Sequence, residues 1–336
     1  MSATFPTADR ITPARKSGWR ELWLKEDWWA VWLGLALVIV AFALFAGGSS
    51  IAWIAVAPAK WSTFSELGGQ LLANAARYFA QFGFFLVIFT VATSAMGHRA
   101  RNFIPSFFLI YLLSLAVFAV GAWDQAQRYN LEPPLVALLI GLLIANLTSL
   151  PRWLDTAFRV EFYIKTGIVL LGATMPFTLI IWARPVAILQ ASIVSIVTFL
   201  VIFFVGFLLA ILSVTRWEKS ESGHKVEAGQ IWWRFPKFVI GFLIASIVVT
   251  WAVGSGSYGD FNKIVKPALV APITALRPWA FTFCFFSIGL TTRLREFAPT
   301  GSRPFVAFTA GVIVNVILGF ILSVLIFGHY WATLSH

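Results

Sequence analysis

The most regular feature of the sequence is a series of long apolar stretches separated by short polar segments. Nine stretches are long and apolar enough to cross a bilayer, which takes roughly 20 helical residues. They lie at 28–47, 76–96, 103–122, 133–149, 160–182, 187–213, 236–254, 268–291 and 305–328. The pattern predicts an all-α polytopic membrane protein with about nine transmembrane helices. The segment 49–74 is too mixed in polarity to span, so we expect a surface-lying or re-entrant piece there.

The composition supports a membrane location. The 336 residues are 59% hydrophobic and 12% charged, and the mean hydropathy is +0.84. Soluble domains carry roughly 25% charged residues, about twice the share found in this chain. The single cysteine, Cys284, excludes an internal disulfide, and its position in an apolar stretch favours a packing role. We therefore expect a multi-pass protein of the cell inner membrane, in contact with the lipid bilayer.

The distribution of basic residues predicts the orientation. If the N-terminus is cytoplasmic, 17 of the 25 lysines and arginines fall on the cytoplasmic side and seven on the opposite side. Cytoplasmic loops carry the excess of Lys and Arg in membrane proteins, so the bias predicts an N-in, C-out topology. It also accounts for most of the net charge of +11 without a nucleic-acid partner.

The sequence contains no recognisable enzyme motif. The four histidines lie in predicted loops or near the C-terminus. A His-Glu-x-x-His metal site, a Gly-x-Ser-x-Gly elbow and a phosphate-binding Gly-x-x-x-x-Gly-Lys-Ser/Thr loop are all absent from the sequence. We therefore expect no enzymatic activity, no catalytic residue, no metal and no cofactor.

Two charges stand inside the apolar stretch 160–182. Glu161 and Lys165 are four residues apart, a spacing that places both on one helix face within pairing distance. Ionisable residues within a membrane are costly and mark candidate functional sites. The small and polar residues after them add Thr166, Gly167 and Thr174 to the candidate substrate pathway. The alternative is that Lys165 reaches up to the cytoplasmic surface while Glu161 lies among the lipid headgroups.

Two other apolar stretches contain polar candidates. Asn146 closes the short fourth stretch, where it could bind a ligand or, more commonly, hydrogen-bond a neighbouring helix. Thr282 and Ser287 lie in the stretch 268–291, which Pro278 interrupts. We include all three polar residues among the candidates for the substrate pathway.

Four segments of the chain are similar to conserved blocks of a known family. They are 134–146, 158–174, 234–242 and 277–293, and the most specific run is Glu-Phe-Tyr-Ile-Lys-Thr-Gly at 161–167. Together they resemble the YeiH-like sulfate exporter family, UPF0324. The resemblance implies a secondary carrier with inverted repeats that binds its substrate between interrupted helices. It also implies a small anionic solute such as sulfate as the substrate. A sulfonate, a carboxylate and an amino acid are open alternatives for that substrate. Whether the protein forms a homo-oligomer is also open.

The chain departs from the family at one place. The family carries a central block of further helices between the equivalents of Leu212 and Trp232, where this chain has only a short polar segment. The resemblance therefore implies an incomplete inverted-repeat bundle. We divide the chain into a cytoplasmic basic tail at 1–27, N-terminal accessory helices at 28–122, a first core repeat at 133–213, a cytoplasmic linker replacing the central block at 214–235 and C-terminal core helices at 236–328.

Two functions from different classes follow from the sequence. The first is secondary transport of a small anion. The alternative is an internally shortened membrane protein that does not transport, either a remnant or a chain that depends on a partner.

Overall fold

The computed structural model describes residues 26–175, 186, 189–201, 236–254, 261–297 and 303–334. The regular secondary structure of these residues is helical, which confirms the predicted all-α fold for this part of the chain. The α-helices are α1 (Glu26–Ala46), α2 (Phe64–Ala73), α3 (Ala75–Ala95), α4 (Ala100–Gly121), α5 (Asp124–Arg128), α6 (Pro133–Leu147), α7 (Val160–Thr174), α8 (Leu189–Val201), α9 (Phe238–Gly254), α10 (Ala271–Thr291), α11 (Leu294–Phe297), α12 (Arg303–Phe320) and α13 (Gly328–Leu334). Short 3₁₀ helices span Ile51–Trp53 and Arg152–Ala157, and π-helical turns span Phe261–Val270 and Ile321–Ile326.

Five helices among the described residues are long and apolar enough to cross a membrane. They are Glu26–Ala46, Ala75–Ala95, Ala100–Gly121, Lys263–Thr291 and Phe308–Ile326. The helices α6 and α7 have 15 residues each, or about 22 Å, and so fall short of a hydrocarbon core of about 30 Å. The count of nine spans, the N-in orientation and the domain boundaries stay predictions. The tail at 1–25, the stretch 176–185 and the linker at 214–235 lie outside the described residues.

Helix α7 is the centre of the bundle, because it packs against α1, α9 and α10. Glycines allow these close approaches. A Cβ atom at Gly172 would lie 2.2 Å from the carbonyl oxygen of Phe242 on α9, and one at Gly34 on α1 would lie 2.5 Å from Val169. The small residues of α7 and its neighbours thus bring helix backbones into direct contact, the usual way of packing helices in membranes.

Helices α6 and α10 run parallel to each other. Gly141 of α6 faces Gly289 of α10, and further along both helices the Asn146 side chain donates a hydrogen bond to the Thr292 carbonyl oxygen at 3.1 Å. The predicted alternation of spans requires the fourth and eighth stretches to run in the same direction, as they do. Which side of the membrane is cytoplasmic is a separate prediction.

Aromatic side chains fill the space between α3, α4, α7 and α10. Phe283 of α10 packs edge-on against Phe85 and Phe89 of α3 and against Phe107 of α4, with ring centroids 5.6, 6.2 and 5.4 Å apart. Tyr163 of α7 joins the same cluster. This rigid core holds α10 in place, and α10 carries part of the site described below.

The segment between α1 and α2 folds into the bundle as irregular backbone. Ile54 and Val56 are buried, and the fully buried Gln81 side chain donates hydrogen bonds at 2.9 Å to both of their carbonyl oxygens. The Trp279 indole also donates to the Val56 oxygen. Irregular backbone at membrane depth must be satisfied by protein partners, and these donors serve that purpose. Helix α2 itself is largely exposed. That 49–74 is a surface-lying or re-entrant piece stays a prediction.

Candidate functional site

A cavity of about 730 Å³ lies between the beginning of α6 and the part of α10 around Pro278. The end of α4, the loop after α5 and the first turn of α6 form one side of it. Leu171 of α7 together with Arg277, Pro278 and Phe281 of α10 form the other side. We call this the Arg277 cavity. Among the described residues that line it, Arg277 is the one basic residue and Glu132 is the one acidic residue.

The start of one helix, the end of another and a proline inside a third lie around this cavity. Helix α6 starts with Pro133 and Pro134, which supply no backbone N–H groups to its first turn. Proline at position 278 removes a backbone hydrogen bond inside α10, but the helix continues through it from Ala271 to Thr291, so the interruption expected at this proline is wrong. Helix α7 ends at Thr174, and the hydroxyl of Ser246 donates at 2.5 Å to the carbonyl oxygen of the next residue, Met175.

Arg277 is held in place by the end of α7. Its Nη1 donates a hydrogen bond of 3.2 Å to the Thr174 hydroxyl oxygen, and that hydroxyl in turn donates to the Leu171 carbonyl oxygen at 2.8 Å. Thr174 is the only hydrogen-bond partner of the guanidinium among the described residues. The remaining N–H donors of Arg277 are therefore available to a ligand in the cavity.

The sequence-predicted residues divide between this site and the helix packing around it. Thr174 is part of the site, and Gly167 lies behind its wall because a Cβ there would meet the Phe281 ring at 3.1 Å. Thr166 and Ser287 are buried, and their hydroxyls donate to carbonyl oxygens of their own helices at 2.8 and 2.7 Å. The geometry places both of them in helix packing.

Thr282 is the remaining polar candidate on α10. It is fully buried, and its hydroxyl has no hydrogen-bond partner in the described structure. It follows Phe281, which lines the Arg277 cavity, but it does not itself line the cavity.

Asn146 joins the ends of α6 and α10. Its amide nitrogen donates to the carbonyl oxygens of Leu142 and Thr292 at 2.8 and 3.1 Å, and its amide oxygen accepts from the Leu294 N–H at 2.8 Å. Of the two uses considered for this residue, the structure shows the interhelical bond.

Glu161 and Lys165 form the expected pair, at 2.5 Å. Lys165 also pairs with Asp27 in the first turn of α1. Its side chain is 13% exposed, whereas that of Glu161 is 73% exposed. Two carboxylates therefore pair with one ammonium, and the cluster connects α1 to α7. None of its three residues is among the described lining of the Arg277 cavity.

A second pair of side chains lies beside this cluster. Arg159 donates a hydrogen bond of 3.0 Å to Nδ1 of His98, in the loop between α3 and α4. Burial lowers the pKa of His98, and the charge of Arg159 lowers it further. The neutral imidazole that results is the form able to accept this hydrogen bond.

Removing the ammonium of Lys165 should destabilise the fold. In Lys165→Met, the carboxylates of Asp27 and Glu161 stay close together with no cation between them. We expect a loss of about 1–2 kcal/mol of unfolding free energy, less than for a fully buried pair because Glu161 is exposed. Reaction of the buried thiol of Cys284 during heating in detergent would report unfolding.

Lys60→Met is the matched control for that variant. Lys60 and Asp124 form a pair at 3.1 Å in which the lysine side chain is 63% exposed, so this change should lower the unfolding free energy by less than Lys165→Met does. Equal unfolding midpoints for Lys165→Met and Lys60→Met would contradict a role of the cluster in anchoring α1.

Arg277 and Glu132 were missed by the sequence analysis, which counted Arg277 only as a charge on the non-cytoplasmic side. A signal was present, because Arg277 is a cation within an apolar stretch directly before a proline. Its bond to Thr174 joins residues far apart in sequence, and no spacing rule finds such a partner.

Long apolar helices and close glycine contacts between them define a polytopic α-helical membrane protein. The sequence profile of the family described as Conserved hypothetical protein 698 matches residues 105–213 and 205–308. The chain belongs to this family. The recognition of UPF0324 from the sequence is confirmed by its curated relatives.

Those relatives are named as membrane proteins. A UPF0324 membrane protein of Rhodopirellula baltica is 22% identical, over 97% of this chain and 94% of its own length. One of Nitratidesulfovibrio vulgaris is 24% identical over 72% of this chain. One of Nitrosomonas europaea is 27% identical over 44% of this chain. No solved structure gives a significant match.

The matches also differ from this chain in length. The chain covers 62% of the Nitratidesulfovibrio protein, and the alignment with the Rhodopirellula protein runs over 511 residues although this chain has 336. That relative therefore has residues without a counterpart here. The two profile segments meet at 205–213, close to the expected gap. That the missing residues form a central helical block stays a prediction.

Proposed function

We propose that this protein is a secondary transporter of a small anion and binds its substrate in the Arg277 cavity. The observation that carries the proposal is Arg277 itself. It is a guanidinium inside a membrane-spanning helix, oriented by Thr174 and facing a cavity of about 730 Å³. The proposal includes no chemical conversion of the solute.

The chemistry of the cavity favours an anionic group. A guanidinium offers N–H donors in a planar fork that matches the oxygens of carboxylate, sulfonate or sulfate. A charge at this depth is costly unless it faces a polar cavity or a partner, and Thr174 is a neutral partner. Lys165, by contrast, already has two carboxylates and has no need of a substrate anion.

The surrounding helices favour transport over static binding. Secondary transporters build their sites from helices that begin or end within the protein, and the start of α6 and the end of α7 both lie beside Arg277 of α10. Sulfate is one candidate substrate, and sulfonates, carboxylates and amino acids fit the same guanidinium.

Flux into proteoliposomes tests the proposal. Purified protein would be reconstituted into vesicles and the uptake of labelled sulfate, a sulfonate, a carboxylate and an amino acid compared with that of protein-free vesicles. Saturable uptake of at least one anion, inhibited by an excess of the unlabelled compound, is expected. Folded protein, with its Cys284 thiol unreactive, that gives no saturable uptake of any of the four would overturn the proposal.

A specific observation also favours the alternative of a shortened, partner-dependent protein. Only 11% of the positions of Phe308–Ile326 are buried, against 61% for Lys263–Thr291. The central helices that the family resemblance implies between the equivalents of Leu212 and Trp232 would have space to pack on such a face. This alternative predicts a folded chain without flux, which the same experiment detects.

A further inference from the structure

A second cavity, of about 380 Å³, lies at the opposite end of the helix pair α6 and α10. It is lined by the last residues of α6 and the turn after them, 145–149, and by Arg293 and Arg295 beyond the end of α10. We call this the Arg293 cavity. Because α6 and α10 run parallel, their beginnings flank one cavity and their ends flank the other.

The positive charge of this second cavity has no matching carboxylate among the described residues. No carboxylate lines it, and the guanidiniums of Arg293 and Arg295 have neither a hydrogen bond nor an ion pair in the described part of the chain. Lys165 shows the opposite arrangement, since its ammonium is paired with two carboxylates. Two unmatched guanidiniums around one concave space create a positive potential that concentrates anions.

The backbone that carries Arg293 is fixed on both sides. The Asn146 side chain donates to the carbonyl oxygen of Thr292 and accepts from the N–H of Leu294, the two neighbours of this arginine. Asn146 also lines the cavity. One side chain therefore holds the backbone of Arg293 at the edge of the cavity, as expected for a preformed binding site.

The Arg277 and Arg293 cavities are not joined along the helix pair. Between them a Cβ atom at Gly289 would lie 2.6 Å from the Leu138 carbonyl oxygen, and one at Gly141 would lie 2.9 Å from that of Phe286. Backbone atoms in such contact leave no room for an ion. The contact between α6 and α10 therefore separates the two cavities along this helix pair.

We propose that the Arg293 cavity is a second anion-binding site, which takes an oxyanion group through Arg293 and Arg295. The group is a sulfate or phosphate, either free in solution or carried by a lipid headgroup. This site goes beyond the proposed transport function, because its occupancy does not require Arg277 or any flux.

Thiol labelling at Ser149 tests the site directly. Ser149 lines the cavity, and the chain's own cysteine, Cys284, is buried, so Ser149→Cys adds one reactive thiol. Its rate of reaction with an anionic methanethiosulfonate reagent, divided by its rate with a cationic one, depends on the local electrostatic potential. We expect this ratio to fall about tenfold or more when Arg293→Gln and Arg295→Gln are added.

Protection by anions identifies the occupant. Sulfate or inorganic phosphate should slow labelling of Ser149→Cys by a neutral reagent, compared with chloride at equal ionic strength, and should not do so in the Arg293→Gln/Arg295→Gln background. In nanodiscs, protection by added phosphatidylglycerol over pure phosphatidylcholine would identify a lipid headgroup, and protection by sulfate in phosphatidylcholine alone would identify a free anion. Either result supports the site.

Two outcomes would overturn it. One is an unchanged reagent ratio in the double arginine variant, which would leave the arginines as determinants of topology only. The other is an absence of arginine-dependent protection by sulfate, phosphate or phosphatidylglycerol. Arg277→Gln should leave labelling and protection at Ser149→Cys unchanged, so failure of transport and failure of this site are distinguishable.

Discussion

Arg277→Gln is expected to reduce saturable anion uptake by about 30-fold or more at subsaturating substrate. Truncating one partner of a desolvated charge pair costs about 2–5 kcal/mol, and each 1.4 kcal/mol is tenfold in binding. The loss should be large because Arg277 is the one basic residue among the described lining of its cavity. The measurement is the initial rate of labelled anion uptake into proteoliposomes as a function of concentration.

Two further variants separate charge from geometry and from general electrostatics. Arg277→Lys keeps the charge but loses the planar fork, so we expect uptake to persist with a raised KM. Arg128→Gln removes an exposed cation close in sequence to the lining residues, and it should leave uptake within about twofold because exposed charges are screened. Equal uptake by Arg277→Gln and Arg128→Gln, with both proteins folded, would contradict binding at Arg277.

The helices were predictable from the sequence because long apolar runs have few alternatives in a membrane. The first stretch, expected at 28–47, forms α1 at Glu26–Ala46, and the stretch expected at 76–96 forms α3 at Ala75–Ala95. The stretch expected at 160–182 forms α7 only as far as Thr174. Apolar residues continue beyond Thr174, but Pro176 has no N–H group and disfavours helical backbone at Met175, so the end of α7 is set by the local sequence. Ser246 then donates a hydrogen bond to the Met175 carbonyl oxygen.

The candidate site was predictable only in part. The four-residue spacing predicted the pairing of Glu161 with Lys165, but Asp27, which completes that cluster, lies 138 positions away. The bond between Thr174 and Arg277 was not predictable for the same reason, because the two residues are 103 positions apart in the sequence. Sequence patterns indicate which residues share a helix face, whereas a site between helices depends on which faces meet.

Gly172→Ala is expected to lower the unfolding free energy by about 2 kcal/mol or more. The added methyl group would lie 2.2 Å from the Phe242 carbonyl oxygen and 2.8 Å from its carbonyl carbon. Both are backbone atoms, so no side-chain rotamer relieves the contact and α7 must move away from α9. Overpacking of this kind costs about 1–3 kcal/mol and occasionally more. Thermal unfolding in detergent, followed through the thiol of Cys284, measures the change.

Gly83→Ala provides a control of opposite expected sign. Gly83 lies inside α3, and a Cβ there meets nothing within 4 Å. The methyl group therefore costs no packing, while alanine gains about 1 kcal/mol of helix propensity over glycine. If helix propensity alone decided the outcome, both alanine variants would be stabilised. We expect them to move the unfolding midpoint in opposite directions, because at Gly172 the close approach of two backbones outweighs the gain in propensity. Stabilisation of Gly172→Ala would show that α7 and α9 do not touch at this point.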